Sequence, residues 1–414
     1  MKILFVHQNF PGQFKHLAPT LAAAGHEVTA LGINAAAPLP GVRHLRYKLK
    51  RGTTPNVQPW VADFETKVIR GEHCARAALQ LKEGGYTPDL IFAHPGWGES
   101  LFLKDVWPKT PLLCFFEFYY NGSSGDADFD PEFPKPRLDE MRVRVKNAAN
   151  LLSLEGCDGG ISPTEWQKSV HPKEFRDKID VVFDGIDTAA LRPDPTARIR
   201  LESANITLSR DDEVITFVNR NLEPYRGWHV FARALPEILR RRPNAHVLIV
   251  GGDDVSYGSK PKDGISYRQR YWSEVADKVD THRVHFLGKL PYPQFIRTLQ
   301  VSGAHVYLTY PFVLSWSMLE AMSLGALVIG SRTPPVEEVI RDGENGLLVD
   351  FFDQTGIADA IDRVFEHPDR MQQLREAARR TAVERYDLQT ICLPRQLEIL
   401  ERVTGKPIGA GVKR

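Results

Sequence analysis

Short, apolar runs of four to six residues recur along the chain, separated by amphipathic stretches of ten to fifteen, and this alternation restricts the fold more than anything else in the 414 residues. Strand-length runs without polar alternation must be buried on both faces, which a parallel sheet achieves when helices cover each side. Ile3–Val6 reads as a first strand, Gln13–Ala24 as a helix closed by Gly25, and Val28–Ile33 as the next strand. The series continues through Leu90–Ala93, Leu112–Phe116, Gly160–Ile161 and Ile179–Val182. It pauses at the polar, proline-bearing Asp187–Pro195 and restarts at Val214–Val218, followed by the helix Trp228–Arg241 and the strands His246–Val250, Val284–Leu287, His305–Leu308 and Leu327–Gly330. The predicted architecture is two doubly wound α/β domains, over 1–190 and 191–385, facing a central cleft. The remaining 386–414 would form a C-terminal helix, near Leu388–Val403, packing back onto the first domain.

Composition excludes several classes. Hydrophobic residues make up 42% of the chain and charged residues 25%, the balance of an ordinary globular protein. A net charge of +1 gives no reason to expect nucleic acid, and no run of eighteen apolar residues exists to span a membrane. The opening MKILFVHQNF is too short and too polar after Val6 for a secretory signal and reads as a buried strand. Cys74, Cys114, Cys157 and Cys392 lack metal or redox spacing, and three lie in or beside apolar runs. Buried inert thiols and a cytoplasmic setting are expected.

Ligands of such sheets bind beyond the carboxyl ends of the strands, so the residues after each strand carry the functional reading. Arg220 follows Val214–Val218, and Arg226 stands six residues on, beside Gly227. Two rigid guanidinium forks that never lose their charge suit a diphosphate. Glu320, about a hundred residues later in SWSMLEAMSLG, is flanked by Met318, Leu319, Ala321 and Met322. A carboxylate so placed needs a partner, and ribose hydroxyls would supply one. Ser315, Trp316 and Ser317 at the start of that helix would offer backbone amides to the diphosphate, and Gly12, between the first strand and first helix, would let backbone approach a phosphate. The first loop contains no G-x-G-x-x-G, and the second strand ends in Gly32-Ile33-Asn34 without an acid, which argues against a dinucleotide enzyme.

On these residues the chain resembles the retaining glycosyltransferases of family four, which have the GT-B fold. VVFDGIDTAALRPD, FVNRNLEPYRGW, HVLIVGG, RVHFLGKLPYPQF, LEAMSLGALVIGS and VIRDGENGLLV are each similar to that family's segments, in the same order. The resemblance implies sugar transfer from a nucleoside-diphosphate sugar (UDP- or GDP-linked) to a glycan, glycolipid or small-molecule hydroxyl, with retention and no metal or other cofactor. It implies that Arg220 and Arg226 hold the diphosphate, that Glu320 holds the ribose with Leu319 beside it in the donor site, and that Lys289 and Leu290 lie near the base. The chain departs from the family at Phe312, where the first glutamate of E-x7-E is usual, at Ser315-Trp316 in place of Gly-Leu, and at Arg226 in place of lysine. Glu117, in CFFEFYYNG, replaces a family histidine and is the expected catalytic assistant. His94, in FAHPGWGES, and Phe312 are the expected acceptor or sugar contacts. The rival readings are a non-catalytic nucleotide-sugar or carbohydrate-binding protein and a nucleotide-sugar epimerase or phosphorylase of the same architecture.

Two further motifs fit less well. Asp126-Ala127-Asp128 has metal-like spacing, but Pro131 and Arg137 occupy the positions where a calcium loop needs glycine and glutamate. Asn121–Pro136 reads instead as a long loop at the cleft mouth. In the basic run 43–51, His44, Arg46, Lys48 and Lys50 alternate with Leu45, Tyr47 and Leu49, as in a charged edge strand. The sharper expectation for this face is peripheral contact with anionic lipid at the inner side of a membrane.

Overall fold

The computed structural model describes residues 1–122 and 125–409. Ser123 and Ser124, within the loop expected over Asn121–Pro136, therefore lie outside the described residues. The chain forms two compact units: one holds the residues up to Gly185 together with the segment that begins at Leu388, and the other is Ile186–Asp387. The passage between units falls at Gly185–Ile186, a few residues before the expected boundary at 190.

The first unit is built on seven parallel strands: β1 Lys2–Val6, β2 Glu27–Gly32, β3 Val42–Arg46, β4 Leu90–Ala93, β5 Leu112–Phe115, β6 Gly159–Ser162 and β7 Ile179–Val181. Their order is β3-β2-β1-β4-β5-β6-β7, so the winding reverses between β1 and β4. Every residue of Ile3–Val6 is wholly buried, as an uninterrupted apolar run between two helical layers requires. Val6 pairs with Ala93, which sets the next residues, His7 and His94, side by side at the reversal.

The helix expected over Gln13–Ala24 is broken in two: a single 3-10 turn at Gly12–Phe14 and a helix at Leu17–Ala23. Pro19 explains the break. It has no N–H for a helical bond to Lys15 and is tolerated only in a first turn, so the helix must begin beside it. Phe14 then turns onto the sheet, its ring 4.9 Å from Phe5 and 4.7 Å from Phe92.

β3 is an edge strand, as expected, but it ends at Arg46. The alternation read over 43–51 does not extend past it. Tyr47 is buried and donates to Glu99 across 3.2 Å, whereas Lys48, Leu49, Lys50 and Arg51 are all exposed.

The second unit opens with an antiparallel hairpin, β8 Arg198–Leu201 and β9 Ile206–Ser209, that the sequence reading did not contain. A six-stranded parallel sheet follows: β10 Val214–Asn221, β11 His246–Gly252, β12 Val284–Gly288, β13 Ala304–Tyr307, β14 Leu327–Ser331 and β15 Leu347–Val349. Its order, β12-β11-β10-β13-β14-β15, reverses between β10 and β13. The loops after β10 and β13 hold Arg226 and the segment leading to Glu320. After a π-turn at Leu388–Cys392, the final helix Leu393–Thr404 returns to the first unit, where Gln396 donates to the Phe183 carbonyl (3.3 Å) and Lys406 pairs with Asp89 (2.6 Å). Among the described residues no helix is long and apolar enough to cross a membrane.

Candidate functional site

The two arginines that the sequence presents as a pair differ sharply in the second unit. Arg226 is 5% exposed, and its Nη1 donates to Tyr307 Oη (3.2 Å), Thr309 Oγ1 (2.8 Å) and the Val313 carbonyl (3.0 Å). Its guanidinium also lies over the Tyr257 ring, 5.0 Å from the centroid. Burial opposes the charge, but Tyr307, Tyr257 and Glu223 outweigh it and push the guanidinium above its ordinary value. Arg226 therefore stitches the loop after β10 to the loop after β13, across the point where the strand order reverses. Arg220, at the exposed end of β10, makes no hydrogen bond or ion pair with any described residue. It is the guanidinium available to a ligand.

Glu320 lies in the helix Trp316–Ser323 and is 6% exposed. The partner it requires is supplied from within the chain, because Tyr292 donates its hydroxyl to Glu320 Oε1 at 2.8 Å. Burial and the Glu320 charge together raise the Tyr292 hydroxyl, keeping it protonated as a donor. Two of the three amides expected to face a diphosphate are also engaged. Ser315 N–H donates to Tyr307 Oη (2.9 Å), and Ser317 N–H donates to Ser315 Oγ (3.3 Å), which caps the helix. Tyr307 thus joins Arg226 to the start of the Glu320 helix. Trp316 is half-buried at that start, whereas Leu319 is fully buried, so its side chain belongs to the core and not to a ligand contact.

Phe312 was expected at the sugar. It is 5% exposed and meets Tyr225 edge-on at 5.5 Å and Tyr257 at 4.9 Å, filling an aromatic cluster that includes Tyr310. An aromatic ring at this position packs where a carboxylate would have to be desolvated. Lys289, exposed after β12, reaches back over β11: a Cβ on Gly252 would lie 2.4 Å from its Cε. Leu290 beside it is half-buried.

Sequence reading missed Glu223. It is 1% exposed, and its carboxylate accepts the backbone N–H groups of Ser256 (3.0 and 3.1 Å) and Tyr257 (3.1 Å), fixing the loop after β11. An acid directly before Pro224 at a strand end was the available signal. Tyr292, Tyr307 and Thr309 gave none, since Glu320 and Arg226, which they bond, lie 28 to 83 residues away along the chain.

In the first unit, a hydrogen-bonded chain crosses the reversal between β1 and β4. Asn9 N–H donates to His7 Nδ1 (2.9 Å), which places the neutral ring's proton on Nε2. That nitrogen donates to Gln13 Oε1 (2.9 Å), and Gln13 Nε2 donates to Glu117 Oε1 (3.1 Å). Burial and the neighbouring His94 depress His7 to about 3, so it is neutral under ordinary conditions. Gly96 N–H likewise donates to His94 Nδ1 (3.1 Å), leaving His94 Nε2–H aimed at Glu117 Oε2 from 3.7 Å, too far for a hydrogen bond. His94 is 2% exposed and this nitrogen has no partner among the described residues. Burial works to raise the Glu117 carboxyl, but His94, His7 and Gln13 outweigh it and hold it below the usual carboxylate range.

Gly12 also has a local structural purpose. Its φ of +48° favours glycine, and a Cβ there would lie 2.4 Å from His7 Nε2. The glycine makes room for the imidazole. Among the described residues no group of three or more His, Cys, Asp or Glu is arranged to hold a metal ion.

Two glycosyltransferase family models match in succession: "Glycosyl transferase family 4 group" over residues 24–191 and "Glycosyl transferases group 1" over residues 199–381. The chain belongs to the family-four glycosyltransferases and has their GT-B fold. Among its relatives, the D-inositol 3-phosphate glycosyltransferase of Nocardia farcinica is 29% identical over 332 residues, covering 75% of this chain and 64% of that protein. The enzyme of the same name from Acidothermus cellulolyticus is 29% identical over 205 residues, covering 49% and 43%. The chain thus spans 43% to 64% of these relatives' lengths. Similar solved structures include sucrose-phosphate synthase from Thermosynechococcus elongatus (TM-score 0.75, 17% identity, 98% of this chain and 99% of that one). Anabaena HepE in complex with UDP is another (TM-score 0.67, 17% identity, 97% and 100%).

Proposed function

We propose that the chain transfers a sugar from a nucleoside-diphosphate sugar to an acceptor hydroxyl, with retention of configuration and with protein cations meeting the diphosphate charge. The observation that carries this reading is Arg220: a permanent cation at the carboxyl end of β10, exposed and unpaired, beside a buried Arg226 that braces the surrounding loops. The binding of UDP by Anabaena HepE, a protein of similar fold, supports a nucleotide donor.

In this reading Arg220 contacts the diphosphate, while Arg226 contributes charge and fixes the helix start through Tyr307. Glu320, oriented by Tyr292, takes the ribose hydroxyls, and Lys289 lies toward the base. The bond between the sugar's anomeric carbon and the phosphate oxygen breaks as the acceptor oxygen bonds that carbon on the same face. The departing phosphate oxygen takes the acceptor's proton, and the diphosphate leaves carrying the bonding electrons. In the first unit Glu117, held ionised, would orient the acceptor, with His94 Nε2–H as an adjacent donor. The acceptor class is a glycan, glycolipid or small polyol; the exposed residues 48–51 are the face for any contact with anionic lipid.

The test is a panel of UDP- and GDP-sugars scored for release of nucleoside diphosphate with and without candidate acceptors. Acceptor-dependent release from one donor, lost on Arg220→Ala, supports the proposal. A chain that binds the nucleotide yet releases nothing with any acceptor would support the non-catalytic reading instead.

A further inference from the structure

A cavity of about 230 Å³ in the second unit is lined by neither Arg220 nor Glu320 and has no role in the reading above. Arg210, Arg375 and Arg379 line it, together with Gly325, Gln372 and Glu376. No carboxylate lies within ion-pair distance of any of these three arginines among the described residues. Their donors go to carbonyls. Arg210 bonds those of Gln300 (3.2 Å), Ser302 (3.4 Å) and Gly325, and Arg375 bonds that of Gly303 (2.9 Å). Arg379 bonds those of Leu191 (3.0 Å), Ser323 (2.6 Å) and Thr188 (3.2 Å). Arg375 Nε is buried and bonds nothing.

Carbonyls at helix ends satisfy geometry but supply only partial negative charge. Three half-buried cations gathered around one cavity without an ion-pair partner are costly, and the discomfort is visible: burial lowers both Arg210, to about 10, and Arg375. Glu376 is the one acid on the wall, and it accepts from Gln372 Nε2 at 3.0 Å. Three guanidinium charges less one carboxylate leave two positive charges. A phosphate dianion would neutralise them, and guanidinium forks are the donors that phosphate oxygens fit best.

We propose that this cavity binds phosphate, either as the free ion or as the phosphate group of a small monoester. It is a site separate from the donor diphosphate, at the far end of the helix that carries Glu320, where Arg379 holds the Ser323 carbonyl.

The test is thermal unfolding of the whole chain in inorganic phosphate, in a hexose phosphate, and in chloride at matched ionic strength. A saturable rise of about 3 °C is expected at tenfold the dissociation constant. The tighter of the two phosphate ligands identifies the source. Arg220→Ala should keep the response, which separates this cavity from the donor site; its loss there would place the phosphate on Arg220 and overturn the proposal. Arg375→Gln should abolish the response. Should that variant not fold, Gln372→Glu, an exposed change that adds a carboxylate to the wall, decides the matter: a response equal to the unmodified chain's overturns the proposal, as does no saturable response in the unmodified chain.

Discussion

Replacing each arginine of the R-x5-R pair by alanine should separate two properties that sequence alone assigns to both. Arg226→Ala removes three hydrogen bonds made by one buried cationic nitrogen, to Tyr307, Thr309 and the Val313 carbonyl. Hydrogen bonds to charged groups contribute about 1.5–3 kcal/mol each, but they share a donor and the two hydroxyls can re-pair. A stability loss of about 3–4 kcal/mol is expected. Arg220→Ala removes an exposed side chain without a partner, and such changes stay within about 0.5 kcal/mol. If Arg220 contacts the diphosphate, the same substitution costs about 2–4 kcal/mol of transition-state stabilisation, a roughly 30- to 1,000-fold fall in kcat/KM. Urea unfolding at constant m-value measures the first property, and calorimetric titration with nucleoside diphosphate plus steady-state turnover the second. The reasoning is refuted if Arg220→Ala unfolds as readily as Arg226→Ala, or if it binds and turns over donor normally.

Other consequences follow from the first unit. His7 in the fold titrates at about 3, against an ordinary 6.5, so the unfolded chain takes up its proton first. Stability is therefore level above about pH 6.5 and falls as pH drops toward 3, by up to about 4–5 kcal/mol from this residue; urea midpoints from pH 8 to 4 should show that slope, reduced in His7→Gln. Because its neighbours depress Glu117, the acid limb of kcat/KM should lie below the usual carboxylate range and move upward in Gln13→Leu, which loses one of those neighbours; an unmoved limb would remove Glu117 from the reaction. Gly12→Ala combines left-handed backbone with a Cβ 2.4 Å from His7 Nε2 and should cost about 2–3 kcal/mol in chemical unfolding, with Gly25→Ala, where nothing lies within 4 Å, costing about 1 kcal/mol.

The sheets were legible because continuous apolar runs such as Ile3–Val6 and Leu112–Phe116 have no stable solution except burial on both faces. Arg220, Arg226 and Glu320 were legible as a group because each lies at a strand end or in the loop or helix just after one, at the carboxyl side of the sheet. What could not be read was how the chain itself satisfies them. Arg226 is committed to residues 81 to 87 positions downstream, and Glu320 to Tyr292, 28 positions upstream, contacts created only when the strand order reverses. The same blindness hid the packing of Phe312, whose ring belongs to an aromatic cluster assembled from three separate loops. Pro19, by contrast, was in plain view, and its missing N–H already forbade the long first helix.

The central claim is that the carboxyl end of the second sheet recognises a ribose diphosphate, with Glu320 reading the hydroxyls. Its most direct test compares a nucleoside diphosphate with its 2′,3′-dideoxy analogue on the unmodified chain and on Glu320→Gln. The unmodified chain should favour the ribose form by about 10- to 150-fold, the value of hydrogen bonds to a charged group, and Glu320→Gln should lose most of that preference. Equal discrimination by both proteins, or none by either, would contradict it.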